Sequence, residues 1–117
     1  MSERTSQAFS PLGNTVVISS AATAPTGLQV SVSISEAPEY SRQYRVINAG
    51  GVTVHLGVGS TAAAAQSAAV AAAAGTPAAG VPLLPGATEV ITFPQNSYFS
   101  GYSASNATVY ITPGRGL

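Results

Sequence analysis

The segment Gly57-Val58-Gly59-Ser60-Thr61-Ala62 has the G-x-G-x-x-A spacing of a dinucleotide-binding turn. In such a turn, glycines let the backbone approach a pyrophosphate at the mouth of a helix. That chemistry also needs an acidic side chain about twenty residues further on to hold the ribose. After Ala62 the first acid is Glu89, and no strand-helix-strand alternation surrounds the motif. The segment therefore reads as a glycine-permitted bend leaving a strand. His55 is the sole histidine and there is no cysteine, so neither a catalytic triad nor a thiolate zinc site can be assembled. Alternation places His55 between Val54 and Leu56, away from the core, as an exposed or interfacial side chain. Glu36 and Glu39 could be read as a glycosidase pair, which requires two carboxylates held rigidly across a sugar. They flank Pro38 in a turn, and a solvated turn paired with Arg42 and Arg45 is the reading adopted. Asn106-Ala107-Thr108 has the form of a glycosylation sequon and reads as a turn before a strand. No catalytic, cofactor-binding or metal-binding residue is expected, and the chain reads as non-enzymatic.

What remains is aromatic and apolar surface. Tyr40, Tyr44, Tyr98, Tyr102 and Tyr110 are spread along strands and turns, where each either fills an end of the core or meets a partner. Tyr110 is out of phase with Val109 and Ile111, so if those face the core it faces outward. The expected interface residues are Phe9, Leu12, Tyr98, Phe99, Tyr102, Tyr110 and Arg115. Charged residues make up 7% of the chain, four basic and four acidic, against roughly 25% in an ordinary soluble domain. Such a surface lacks the net repulsion that keeps monomers apart, and suits a protein that self-associates or lives in an assembly. Arg4, Arg42, Arg45 and Arg115 are scattered, so no phosphate-binding stripe and no nucleic-acid partner is expected. No apolar run other than the alanine tract approaches a membrane span, and alanine is a poor anchor, so no membrane association is expected. Met1 to Ser10 carries no apolar stretch behind a basic start, so no signal peptide is expected and synthesis is placed in a cytoplasm.

The elements that position these residues follow from periodicity. The length, 117 residues, sets one domain. Residues 1–27 read as an extended arm with one short strand, Thr15 to Ser19, between Pro11-Leu12-Gly13 and Pro25-Thr26-Gly27. Residues 28–117 form the body. Leu28, Val30, Val32 and Ile34 alternate with polar residues, the clearest strand pattern in the chain. Gln43 to Asn48 and Val52 to Val58 read as a hairpin through Ala49-Gly50-Gly51. Thr88 to Phe93, Ser97 to Ser103 and Ala107 to Thr112 complete about seven or eight short antiparallel strands. The fold expected is all-β, a single small sandwich or jelly roll. Within it lies an alanine-rich insertion over residues 61–80, either a helix capped by Ser60 or Thr61 and stopped at Gly75 and Pro77, or a flexible loop.

Four stretches invite a comparison: Arg45-Val46-Ile47-Asn48-Ala49-Gly50, Val52-Thr53-Val54-His55-Leu56-Gly57, Val81-Pro82-Leu83-Leu84-Pro85-Gly86-Ala87-Thr88-Glu89-Val90, and the ending Ala107 to Leu117 with its Pro113-Gly114-Arg115-Gly116 tail. Together they resemble a group of short proteins from the virion-structural gene regions of tailed phages. The resemblance covers residues 43–117 and rests on the order of its parts as much as on any one motif. It implies a virion component of the capsid decoration or cement type, docked on the outer surface of the major capsid protein lattice and bridging neighbouring subunits. The N-terminal arm and the tail from Pro113 to Leu117 would then drape over neighbours or exchange strands with them. A head-to-tail adaptor, a tail or fibre component, and a glycan-binding sandwich using Tyr98, Phe99 and Tyr102 are the alternatives.

Overall fold

Short runs alternating apolar and polar residues, separated by Pro, Gly and Asn, fold into two antiparallel sheets that close on one core. The structure is a computed structural model and describes residues 9–31 and 42–115. Strands β1 (Ser10–Pro11), β2 (Val16–Ser20), β4 (Gln43–Asn48), β7 (Thr88–Thr92) and β9 (Ala107–Arg115) form the first sheet. In it β9 lies between β4 on one side and β1 and β2 on the other, with β7 outermost beyond β4. Strands β3 (Leu28–Gln29), β5 (Val54–Gly59), β6 (Val81–Leu83) and β8 (Tyr98–Tyr102) form the second sheet, ordered β3-β8-β5-β6. The all-β sandwich expected from the sequence is what the chain forms.

Period-two alternation decides which side chains meet. Ile18, Val46, Val109 and Ile111 of the first sheet face Val54, Leu56, Leu83 and Phe99 of the second, all essentially without exposed surface. Burying a side chain of this size contributes about 1.5–3 kcal/mol, so these positions carry most of the stability. Tyr44 lies edge-on to Phe99 at 4.9 Å between ring centres. Its hydroxyl donates to the Pro94 carbonyl at 2.6 Å and accepts from the Ser97 N–H at 3.2 Å, so the polar tip is satisfied inside the core.

One expectation is corrected by the pairing. Gln43–Asn48 and the following strand do not form a hairpin: β4 pairs with β7 and β9, β5 pairs with β6 and β8, and the chain crosses between sheets at Ala49-Gly50-Gly51. Asn48 explains the crossing. Its amide nitrogen lies 2.9 Å from the carbonyl oxygens of Val52 and Leu83 and 3.2 Å from that of Leu84, while its Oδ1 accepts the Gly50 N–H at 2.9 Å. One buried side chain thus satisfies the backbone that a ladder would otherwise have satisfied. The short strand expected at Thr15 to Ser19 forms as β2 (Val16–Ser20) and is paired within the chain. β2 pairs along its whole length with β9 of the same chain, and β1 pairs with Gly114 and Arg115. Between β1 and β2, residues 12–15 bulge opposite Thr112 and Pro113, where Thr15 Oγ1 and Thr112 Oγ1 are 2.7 Å apart. The tail residues Pro113 to Arg115 belong to β9. The strand expected from Leu28 is ordered as β3 and continues to a fully buried Val30; its Val32 and Ile34 lie outside the described residues, as do Met1 to Ala8.

The alanine tract resolves into a short helix, α1 (Ala62–Ala68), with Thr61 as its cap accepting the Ala64 N–H at 3.1 Å. It ends at Ala69, short of Gly75, because what holds it is packing rather than propensity. Ala65 and Ala69 are buried against the outer side of the second sheet, and a helix this short does not persist alone in water. Gly57 and Gly59 make room for it. A Cβ on Gly57 would lie 2.3 Å from the Ala65 carbonyl oxygen, and one on Gly59 would lie 2.7 Å from Ala64 Cβ and from Ala65 N. The nucleotide-like glycine spacing is therefore the seat of this helix.

Candidate interaction surface

Because strands alternate, each sheet has one face turned away from the core, and the two outward faces differ in what covers them. On the second sheet, His55, Gly57 and Gly59 of β5 and Tyr98, Ser100 and Tyr102 of β8 point outward. Helix α1 lies over the middle of this set. Gln66 Nε2 donates to the Ala24 carbonyl at 2.8 Å and Ser100 Oγ to the Pro25 carbonyl at 2.6 Å, tying helix, sheet and the β2–β3 connection together. His55 is half-buried beside Tyr102, with ring centres 5.9 Å apart, and its Nδ1 has no hydrogen-bond partner among the described residues.

On the first sheet the outward face is open among the described residues. Register aligns Val17 of β2, Tyr110 of β9, Ile47 of β4 and Thr88 of β7 in one row across four strands. Val17 is 47% and Tyr110 40% exposed, high values for large apolar side chains standing next to each other. The neighbouring row runs Thr112, Arg45, Val90. Phe9 folds over this second row: the Arg45 guanidinium carbon is 5.5 Å from its ring centre, a cation-π contact. Gly114 makes the seat for that ring, since a Cβ there would lie 2.5 Å from Phe9 Cζ.

The seven residues expected at an interface are thus sorted by the fold. Phe9, Leu12, Tyr110 and Arg115 all belong to the first sheet or its β1–β2 link, but Tyr110 and Arg115 are five positions apart on β9 and alternate to opposite sides of it; Leu12 N–H donates to the Pro113 carbonyl at 2.8 Å. Tyr98 and Tyr102 are half-exposed on the second sheet, one at each end of the helix. Phe99 is corrected: it is 0% exposed and packs between Tyr44 and Phe93, because it alternates inward between two outward neighbours. Tyr98, Phe99 and Tyr102 therefore do not make a single stacking platform for a sugar. A shallow depression of about 370 Å³ beside Tyr102 is lined otherwise by Ala22, Ala24, Ala69, Val70 and Ala71, none of which has a polar side chain to meet sugar hydroxyls. Val17, Ile47 and Val90 were not singled out from the sequence, because their alignment with Tyr110 and Arg45 depends on the register of strands far apart in the chain.

Among the described residues, no three His, Asp or Glu side chains gather where they could hold a metal ion. Among the same residues, no helix is long and apolar enough to cross a membrane. Comparisons with protein-family models, with curated proteins and with solved structures find no match to this chain.

Proposed function

We propose that this protein is a phage capsid decoration, or cement, protein that binds the outer surface of the major capsid lattice and stabilises the head by bridging neighbouring subunits. The observation that carries the reading is the open face of the first sheet. Val17, Tyr110 and Ile47 form an apolar row with a tyrosine at its centre, bordered by Phe9 and Arg45. Apolar side chains with Tyr and Arg, and few acids, make up the usual composition of a protein interface core. The scarcity of charge over the chain and the resemblance of residues 43–117 to virion-structural proteins of tailed phages support the same reading. The mechanism is mechanical: each copy adds buried area where internal pressure pulls capsid subunits apart, and the gain scales with copy number. The protein would be made in the host cytoplasm and end on the capsid surface.

The test is a copy count in purified virions by quantitative mass spectrometry, repeated after a mild denaturant wash with the thermal stability of the heads followed in parallel. Copies comparable in number to the capsid subunits, and heads that melt earlier once stripped, are expected. A handful of copies per particle would overturn the reading in favour of a tail, fibre or adaptor position.

A further inference from the structure

A sandwich of two open sheets leaves edges, and unpaired edge strands recruit other chains unless something blunts them. Among the described residues, β6 carries Pro82 and β3 is two residues long. The edge beyond β9 is interrupted by Pro11 and by residues 12–15, which leaves the five-residue β2 paired on one side and ending in two serines. β7, Thr88-Glu89-Val90-Ile91-Thr92, is the opposite edge of the same sheet: five residues without proline or glycine, β-branched at every position but one, and paired on one side only. From this we infer that β7 is a self-association edge, joining two copies of this chain about a two-fold axis at Val90 into one continuous sheet.

Register supports a second copy as the occupant. Asn48 N–H donates to the Ala87 carbonyl and Phe93 N–H to the Arg42 carbonyl, each at 2.9 Å. In an antiparallel ladder this phase turns the backbone groups of Glu89 and Ile91 toward β4 and those of Thr88, Val90 and Thr92 toward the free edge. A two-fold at Val90 then opposes Val90 to Val90 and Thr88 to Thr92, so all three outward-facing residues pair at once. Sliding the second copy by one rung loses pairs, and the slide in one direction sets Glu89 against Glu89.

The charges fit the same arrangement. Glu89 is the one carboxylate side chain among the described residues. It shares the core side of its strand with Val46 and Ile91, and it is exposed only because it stands at the edge. In the two-fold pairing it falls beside Ile91 of the second copy. The second copy's Arg42 lies on the same side of the sheet, one strand further in, so opposite charges from the two copies approach on that side. The pairing also sets the open faces of the two copies side by side, with the row of Thr112, Arg45 and Val90 running through the axis into its counterpart. The inference concerns self-association alone and stands whether or not the protein binds a capsid.

The experiment is sedimentation equilibrium on the full chain, with two substitutions at the axis. The wild-type protein is expected at twice the monomer mass. Val90→Pro is expected at monomer mass with an unchanged far-UV spectrum, since the Val90 N–H faces the free edge and no rung to β4 is lost. The chain has no cysteine, so Val90→Cys gives a clean second reading. Hydrogen-bonded antiparallel partners have Cα atoms about 5.5 Å apart, within the span of a disulfide. Val90→Cys is expected to convert to a covalent dimer on mild oxidation, whereas Val17→Cys, exposed on the same face but off the axis, is not. A monomeric wild type, or equal cross-linking at positions 90 and 17, overturns the inference. If Val90→Pro fails to fold, the cysteine pair decides.

Discussion

The two outward faces of the sandwich are built from opposite kinds of residue. The covered face of the second sheet uses Gly57, Gly59 and Ser100 beneath Ala65 and Ala69, with backbone nearly touching backbone. The open face of the first sheet uses Val17, Ile47, Val90 and Tyr110, whose side chains stand clear of their own chain. Small residues mark the face that the chain closes for itself. Large residues left half-exposed mark the face that it leaves open.

Four substitutions break or sharpen that contrast. Phe99→Ala, which removes the one β8 ring that turns inward, should lower unfolding free energy by about 3–5 kcal/mol, read as a shift in urea midpoint. If Phe99 instead sat on the outward side with Tyr98 and Tyr102, the loss would be far smaller. Gly57→Val drives a side chain into α1 and should cost about 1–3 kcal/mol by overpacking, with loss of the helical far-UV signal and faster hydrogen exchange at Ala65 and Ala69. Thr61→Ala removes the helix cap and should cost about 1 kcal/mol, seen as faster exchange of the Ala64 amide before any change in global unfolding. Tyr110→Ser should change stability by less than about 1 kcal/mol. Under the proposed capsid attachment it should nevertheless weaken binding to stripped heads by roughly tenfold or more, the loss of about 1.4 kcal/mol or more expected of a central interface tyrosine. A Tyr110 variant that rebinds heads like the wild type would separate the open face from capsid attachment.

Much of this architecture is legible in the sequence and some is not, for definable reasons. Period-two alternation marks Gln43–Asn48, Thr88–Thr92 and Ala107–Ile111 directly, and the outward turn of Tyr110 follows from Val109 and Ile111. The same rule applied to Tyr98-Phe99-Ser100-Gly101-Tyr102 would have turned Phe99 inward, so that residue was readable and was grouped instead by its aromatic neighbours. The apparent hairpin over Gln43–Val58 was not readable. Sequential strands usually pair, and only the placement of Asn48 among the Val52, Leu83 and Leu84 carbonyls turns the chain into the other sheet. The glycines at 57 and 59 announce a close approach of backbone, but the pattern alone does not say whether a phosphate or the chain's own alanines will make it. The row through Val17, Tyr110 and Ile47 depends on pairing between distant strands, which no local pattern encodes.

That distant pairing also sets when the molecule can form. Thr15 and Thr112 meet across 97 positions of chain, and closing a loop of that length costs about 4 kcal/mol before any rung rewards it. The central strand of the first sheet is also the last strand of the described residues. β4 can pair with β7 before β9 joins, but β2 has no other strand to lie against, so the row of Val17, Tyr110 and Ile47 forms only when β9 is in place. Folding is expected to be slow, in the millisecond-to-second range of non-local β topologies. The open face is thereby the part of the sheet that depends most on the long-range pairing of β9.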